Sequence, residues 1–312
     1  MQYVITKEQD GMTVRDFLRQ YLKPSSKMLK YLKYRPDGIT VDGAHCTVRY
    51  ILREGNILSV ALLDPAPSEK LRPVKLPIEI LYEDEDLVVP SKPADMPTHP
   101  SHDHYDDTVA NALAYRYREM GIPFVFRPIN RLDRNTSGLL LVARNKLSAG
   151  RLTRALDRGE IRKRYLAVLD GEMTEQGGVI DACLHRTAKS IIIREVCSPN
   201  APDADAARTE FSVLAVANGH TLVEASPITG RTHQLRVHFA HLGHPITGDD
   251  LYGTPSDAIP RHALHAYSLS FPHPATDQPM TLTAPIPADL SALLHSVFPD
   301  LDEIGHRKAA NP

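Results

Sequence analysis

The chain has 312 residues, 42% hydrophobic and 24% charged, with a formal net charge of −2. That length exceeds an ordinary single domain and buries a sizeable core, and the composition excludes a disordered chain and a helical membrane protein. Near-neutrality also excludes a globally basic nucleic-acid binder, so any contact with a polyanion must come from local clustering.

The first residues carry neither a signal-peptide nor a transit-peptide pattern. Cys46, Cys183 and Cys197 form no Cys-x-x-Cys pair. The expectation is a cytoplasmic protein in a reducing compartment, without a disulfide framework or zinc ribbon.

Residues 1–63 read as a small unit. Thr13 is placed to cap a helix through Leu22, with Val14, Phe17, Leu18 and Tyr21 on one face. Pro24, Ser25 and Ser26 break it and start a second, basic helix from Lys27 to Leu32. Gly38–Gly43 then reads as a strand and an Asp-Gly turn, and Gly55–Val60 as a further strand. Between Arg15 and Arg35 stand seven basic residues against the single acid Asp16. Such a run is either a solvated helix face or a phosphate-binding surface. Residues 64–76, rich in proline and charge, read as a linker, and residues 77–312 as the larger domain.

In that domain, Ile78–Tyr82 and Asp86–Val89 read as strands that feed a proline-stiffened loop from Ser91 to Pro100. Asp107 is placed to cap a helix from Thr108 to about Met120. The segment Asn130-Arg131-Leu132-Asp133-Arg134-Asn135-Thr136-Ser137-Gly138 then runs into the apolar Leu139–Ala143. It presents one carboxylate between two arginines at the edge of a buried strand. Taken alone, it is ordinarily a loop salt bridge.

Asn145 is placed to cap a helix from Lys146 to Arg158, which carries Arg151, Arg154 and Arg158 as a basic stripe. From Arg127 to Arg164 there are eleven basic residues against Asp133, Asp157 and Glu160. Ile161–Gly171 reads as a strand bearing Tyr165, in isolation a core aromatic. Residues 184–205 read as an irregular insertion, and Glu210–Ala225 as a hairpin turning at Asn218–Gly219. Arg231 is placed at the start of a helix ended by Gly243, where exposed N–H groups favour an anion, either a phosphate or the Asp133 carboxylate.

Three motifs in this order resemble the RluA family of pseudouridine synthases. They are Arg131-Leu132-Asp133 with Thr136-Ser137-Gly138-Leu139-Leu140-Leu141, then Lys163-x-Tyr165-x-Ala167 with Gly171, then Gly230-Arg231-Thr232-His233-Gln234-Leu235-Arg236-x-His238 with Gly248-Asp249-x-x-Tyr252-Gly253. Lys92-Pro93-Ala94 and His99-Pro100 also agree, whereas Ser91, Asp95 and Asn130 depart. Asn130 stands where the family usually has His. The first unit resembles a small ribosomal-protein-like RNA-binding domain.

The resemblance implies an α+β fold with a mixed, mostly antiparallel central sheet and a small α/β RNA-binding domain at the N-terminus. It implies isomerisation of uridine in ribosomal or transfer RNA, with Asp133 as the catalytic carboxylate, acting as nucleophile at the ribose or as base at its 2′ carbon. Arg231 would pair with Asp133, Tyr165 would stack on the base, and Leu235 would wall the pocket. The implied substrate-binding set adds Arg131, Arg134, Gln234, Arg236, Lys92 and His99, with Arg15, Arg19, Lys27 and Lys30 from the small unit. No cofactor, metal or membrane is implied, RNA is the partner, and a monomer is expected. Two other readings are a catalytically inactive RNA-binding protein of the same fold and, more remotely, a metal-dependent hydrolase using His233, His238, His241 and His244.

Overall fold

Short, well-capped elements build the N-terminal unit in the computed structural model, which describes residues 1–24, 26–62, 66–68, 71–188, 190 and 192–300, with the side chain of Lys27 left out. The expected contact through Lys27 and part of the expected linker (64, 65, 69 and 70) therefore lie outside the described residues. Strand β1 (Gln2–Val4) is followed by α1 (Val14–Phe17), α2 (Ser26–Tyr34), β2 (Ile39–Val41), β3 (Ala44–His45) and β4 (Ile57–Val60). Thr13 caps α1, its Oγ1 accepting from the Asp16 N–H at 3.2 Å. The helix widens into a π turn over Leu18–Leu22 and stops at Lys23 in the left-handed conformation. Asp42 and Gly43 both take positive φ, so the β2–β3 hairpin closes through the tight turn that suits strand twist. The strands form an antiparallel sheet in the order β1-β4-β2-β3. Val14, Phe17, Leu18, Leu32 and Leu58 are buried beneath it.

The rest of the chain runs β5 (Glu79–Glu83), β6 (Leu87–Lys92), α3 (Val109–Glu119), β7 (Ser137–Leu139), β8 (Val142–Ala143), α4 (Lys146–Asp157), β9 (Arg162–Asp170), β10 (Gly177–Asp181), β11 (Cys183–Arg186), β12 (Arg194–Cys197), β13 (Arg208–Ala217), β14 (His220–Pro227), α5 (Gln234–His241), β15 (Leu264–Pro272), β16 (Pro279–Thr283) and α6 (Ala288–Val297). One large sheet follows the order β10-β13-β14-β9-β15-β7-β6-β5, with β16 on β15 and β8 on β6. Its pairings are antiparallel except β15 with β7. The architecture is thus α+β with a mixed, mostly antiparallel sheet, as the sequence led us to expect. No described helix is long and apolar enough to cross a membrane.

The parallel junction dictates one residue. Ala266 on β15 pairs with both Gly138 and Tyr165. A Cβ on Gly138 would lie 2.2 Å from the Ala266 carbonyl oxygen, and φ there is +115°, so only glycine fits.

Three expectations change. Thr108, not Asp107, caps α3, because its Oγ1 reaches the Asn111 N–H while Asp107 turns to His104. The 184–205 insertion contains the ordered hairpin β11–β12, with Cys183 directly opposite Cys197 and both thiols free. The basic stripe of α4 is not an open surface. Arg151 donates to the Leu22 carbonyl at 2.8 Å and Arg154 to that of Lys23 at 3.3 Å, while Arg158 closes on Glu160. Two of its arginines thus cap the carbonyl end of the first helix, and Leu147 of α4 enters the core of the N-terminal unit.

Two buried histidines tie β7 and its preceding loop to β15. Thr136 Oγ1 meets His262 Nε2 at 2.8 Å, and Ser137 Oγ meets His265 Nδ1 at 2.9 Å. Burial lowers their pKa values to about 3 and about 4. An unfolded histidine takes up a proton below about pH 6.5, and these stay neutral in the fold, so stability falls as pH drops from there towards 4. Each should cost roughly 2 kcal/mol by pH 5. Melting at pH 7 and pH 5 checks this: the His265→Asn variant should lose less between the two than the wild type, and an equal loss would put the pH dependence elsewhere.

Candidate active site

The loop before β7 is anchored at nearly every backbone carbonyl. Thr98 Oγ1 donates to the Leu132 carbonyl at 2.9 Å, Lys92 Nζ to that of Arg134 at 2.7 Å, and Arg261 Nη1 to that of Asn135 at 3.1 Å. The Asp133 carbonyl accepts from the Thr136 N–H at 3.1 Å, closing a turn. Asn130 clamps the base of the loop: its amide donates to the Leu139 carbonyl at 3.2 Å and accepts from the Leu141 N–H at 2.7 Å. The carboxamide thereby takes the place of a backbone pair between the two arms. Asp95, where the resembling sequences have Gly, adopts the left-handed φ of +60° and holds Arg134 at 2.7 Å.

The Asp133 side chain is not used in this anchoring. It makes no hydrogen bond or ion pair among the described residues. It lines a cavity of about 560 Å³ with Arg131, Leu132, Asp157, Lys163, Tyr165, Arg231, His233, Leu235 and Arg236. Its negative charge is felt by Lys92, Tyr165, His233, Arg236 and Tyr252. Tyr165 is buried, and burial together with Asp133 pushes its hydroxyl pKa up, so it remains a neutral phenol. Burial lowers the His233 pKa against an upward pull from Asp133. The site therefore offers an anionic oxygen, an aromatic face and a set of cations in a half-enclosed space.

Arg231 lies elsewhere than expected. The helix begins at Gln234, not at Arg231, because His233 takes the left-handed conformation and Gln234 Oε1 turns back to accept from the Arg231 N–H at 3.0 Å. The Arg231 guanidinium pairs with Asp205 at 3.3 Å and donates to the Ala206 carbonyl at 3.0 Å, so the Arg231–Asp133 pair is absent. The buried cation facing Asp133 is Arg236, held bidentate by Asp249 at 2.7 and 2.6 Å and reached by Asp250 at 3.2 Å. Burial would raise the pKa of Asp249, but the bonds from Arg236 overcome it and keep the carboxylate ionised.

Lys92 also departs from expectation. It is 1% exposed and donates to three carbonyls, those of Pro93, Met96 and Arg134, which leaves no donor for RNA. Burial pulls its pKa down to about 7, with Asp133 opposing. Gln234 lines the cavity but uses its amide on Thr229, Arg208 and Thr209, so it shapes the wall. His99 packs edge-on against Phe126 and is not in the lining. Leu235, Arg131, Tyr165 and Asp133 are brought together, whereas Arg15, Arg19 and Lys30 lie on the N-terminal unit away from the cavity.

The helix histidines serve separate partners. His238 bridges Thr209 and the Ala182 carbonyl, His244 meets the Asp170 carbonyl, and His233 meets the Tyr252 hydroxyl. They form no joint ligand set among the described residues. The trio Asp84, Asp86 and His273 has metal-like spacing, but its oxygens and nitrogens are engaged by Tyr82, Asn145, Ser148, one another and backbone N–H groups. The sequence reading assigned no role to Lys163, Arg261 or His262. Alternation along β9, which puts Lys163 on the face of Tyr165, was the available signal for the first.

A family model described as RNA pseudouridylate synthase matches residues 86–241. Uncharacterized RNA pseudouridine synthase YjbO of Bacillus subtilis is 38% identical over 283 residues, spanning 91% of this chain and 98% of that protein. Ribosomal large subunit pseudouridine synthase C of Vibrio vulnificus is 33% identical over 308 residues, spanning 94% and 95%. Among solved structures, Human RNA Pseudouridylate Synthase Domain Containing 1 superposes with a TM-score of 0.58 at 31% identity, covering 70% of this chain and 87% of that one.

The two arginines should separate cleanly on mutation. Arg236→Met strands the buried Asp249 carboxylate and should destabilise the fold by about 3–5 kcal/mol in denaturant titration. Arg231→Met removes a half-exposed pair and should change stability by less than about 1 kcal/mol. Equal losses would contradict the assignment of the buried role to Arg236.

Proposed function

The chain belongs to the RNA pseudouridylate synthase family and is an isomerase acting on RNA; within that activity we propose that its substrate is a uridine of ribosomal RNA and that Asp133 is the reacting carboxylate. One observation carries the second assignment: Asp133 is a loop carboxylate in the cavity with no partner of its own among the described residues, in the field of Lys92 and Arg236, which are anchored on other groups. The ribosomal substrate is supported by relatives named for the ribosomal large subunit.

In this reading the uridine leaves its stack and enters the cavity over the ring of Tyr165. The bond between nitrogen 1 and the ribose is cut, the uracil turns, and carbon 5 bonds to the ribose carbon. The carbon 5 proton departs and the freed nitrogen ends as N–H, so the product is an isomer. Asp133 acts either at carbon 1′ as nucleophile or at the 2′ carbon as base. Arg236, held by Asp249, keeps a fixed positive charge towards Asp133 without covering its oxygens. Tyr165, neutral and two strands from Gly138, supports the base and lies beside the departing proton. Leu235 excludes water from the opposite wall. The N-terminal unit adds phosphate contacts through exposed residues such as Arg19 and Lys30.

Asp133→Asn keeps the shape of the side chain and removes its charge. Release of tritium from carbon 5 of labelled uridine in ribosomal RNA should fall by roughly 10³-fold or more, with melting temperature and RNA affinity retained. Activity within about tenfold of the wild type would remove Asp133 from the reacting role.

A further inference from the structure

Among the cations lining the cavity, Arg131 and Lys163 have no carboxylate partner among the described residues, and of the two Arg131 is exposed to solvent whereas Lys163 is half-buried. Strand alternation along β9 turns Lys163 and Tyr165 to the cavity and leaves Arg162 and Arg164 exposed. Arg164 lies 3.7 Å from Glu224, Arg231 has Asp205, and Arg236 has Asp249. Lys163 Nζ has a single long hydrogen bond, 3.5 Å to the Thr229 carbonyl, and no carboxylate pairs with it among the described residues. Gly230 passes close by, since a Cβ there would lie 3.8 Å from Nζ. Burial lowers the pKa of this ammonium, and no nearby acid counters the effect. A desolvated cation without a counter-ion is costly to keep, so its place on the cavity wall beside the paired Arg231 and Arg236 points to an anion supplied by the substrate.

We propose that Lys163 is a phosphate clamp: its ammonium receives a phosphodiester flanking the uridine held over Tyr165. This rests on the reading of the cavity as the uridine site. Lys163 and Tyr165 are two residues apart on one strand, roughly 6.6 Å, a span that a single nucleotide covers from base to phosphate. An extruded nucleotide carries its own phosphates to the rim of the pocket, and a compact ammonium meets them as a point charge in a wall of low dielectric. The clamp sets how deeply the nucleotide sits, whichever step Asp133 performs.

The test uses the full chain and a short oligoadenylate with one central uridine, binding being followed by fluorescence anisotropy across a salt series. Lys163→Met should bind about tenfold more weakly at low salt. Its plot of log affinity against log salt should be flatter by about 0.7, one phosphate contact on a single strand. Lys163→Arg should restore most of the affinity. Replacing one or other phosphate beside the uridine by a neutral methylphosphonate should weaken the wild type at one of the two positions and leave Lys163→Met unchanged there. Parallel salt slopes, equal sensitivity of both proteins to the neutral linkages, or no binding by the wild type would overturn the clamp. Tritium release on ribosomal RNA reads the other question separately: coupled affinities without release would sink the function and leave the clamp standing, and release with uncoupled affinities the reverse.

Discussion

The site depends on the one parallel seam in the large sheet. β15 carries the block of β9, β14, β13 and β10 on one side, and β7 carries β6 and β5 on the other. Asp133 comes from the loop that enters β7, and Tyr165 from β9 across β15, so the two reach a common space only because β7 and β15 run side by side. Gly138, Ala266 and Tyr165 form a single row across three strands. That row tolerates no side chain at Gly138, and the seam closes to backbone contact there. The spacing between the carboxylate and the ring is thus set by strand packing, which is stiffer than any loop.

Around the seam, the two buried cations that feel Asp133 are each anchored on another group. Lys92 is held by carbonyls and Arg236 by Asp249. Direct pairing would neutralise the carboxylate and cover its oxygens. Indirect placement supplies positive field while leaving the oxygens open, and little reorganises when substrate arrives. The same carbonyl contacts fix the loop backbone, so electrostatics and geometry are set by one set of bonds.

Much of this was legible in residue order. The Thr13 and Asn145 caps and the Asn218–Gly219 hairpin follow from local propensities that tertiary packing did not oppose, whereas the mixed sheet was implied by the family resemblance. The Arg231 role did not follow. Two arginines five residues apart near a helix start look equivalent, and the choice between them was made by the left-handed turn at His233 and by Asp249 arriving from a later loop. Lys92 stood in the substrate-binding set that the resemblance implied, where a lysine is ordinarily exposed, and only the converging carbonyls reveal it as internal. The stripe on α4 had the right spacing for a polyanion, yet its neighbour across the fold was a helix end needing donors.

Asn130 carries a consequence for how the loop answers to acidity. Its amide always presents one donor to Leu139 and one acceptor to Leu141. The imidazole usual at this place in resembling sequences offers that combination only when neutral; once protonated it becomes two donors and would turn an N–H towards the N–H of Leu141. With the amide, the clamp beneath Asp133 has no proton to gain or lose in the physiological range. The amide thereby removes one titration from the base of the loop, and the one that remains in its anchors belongs to Lys92, whose pKa burial pulls down to about 7.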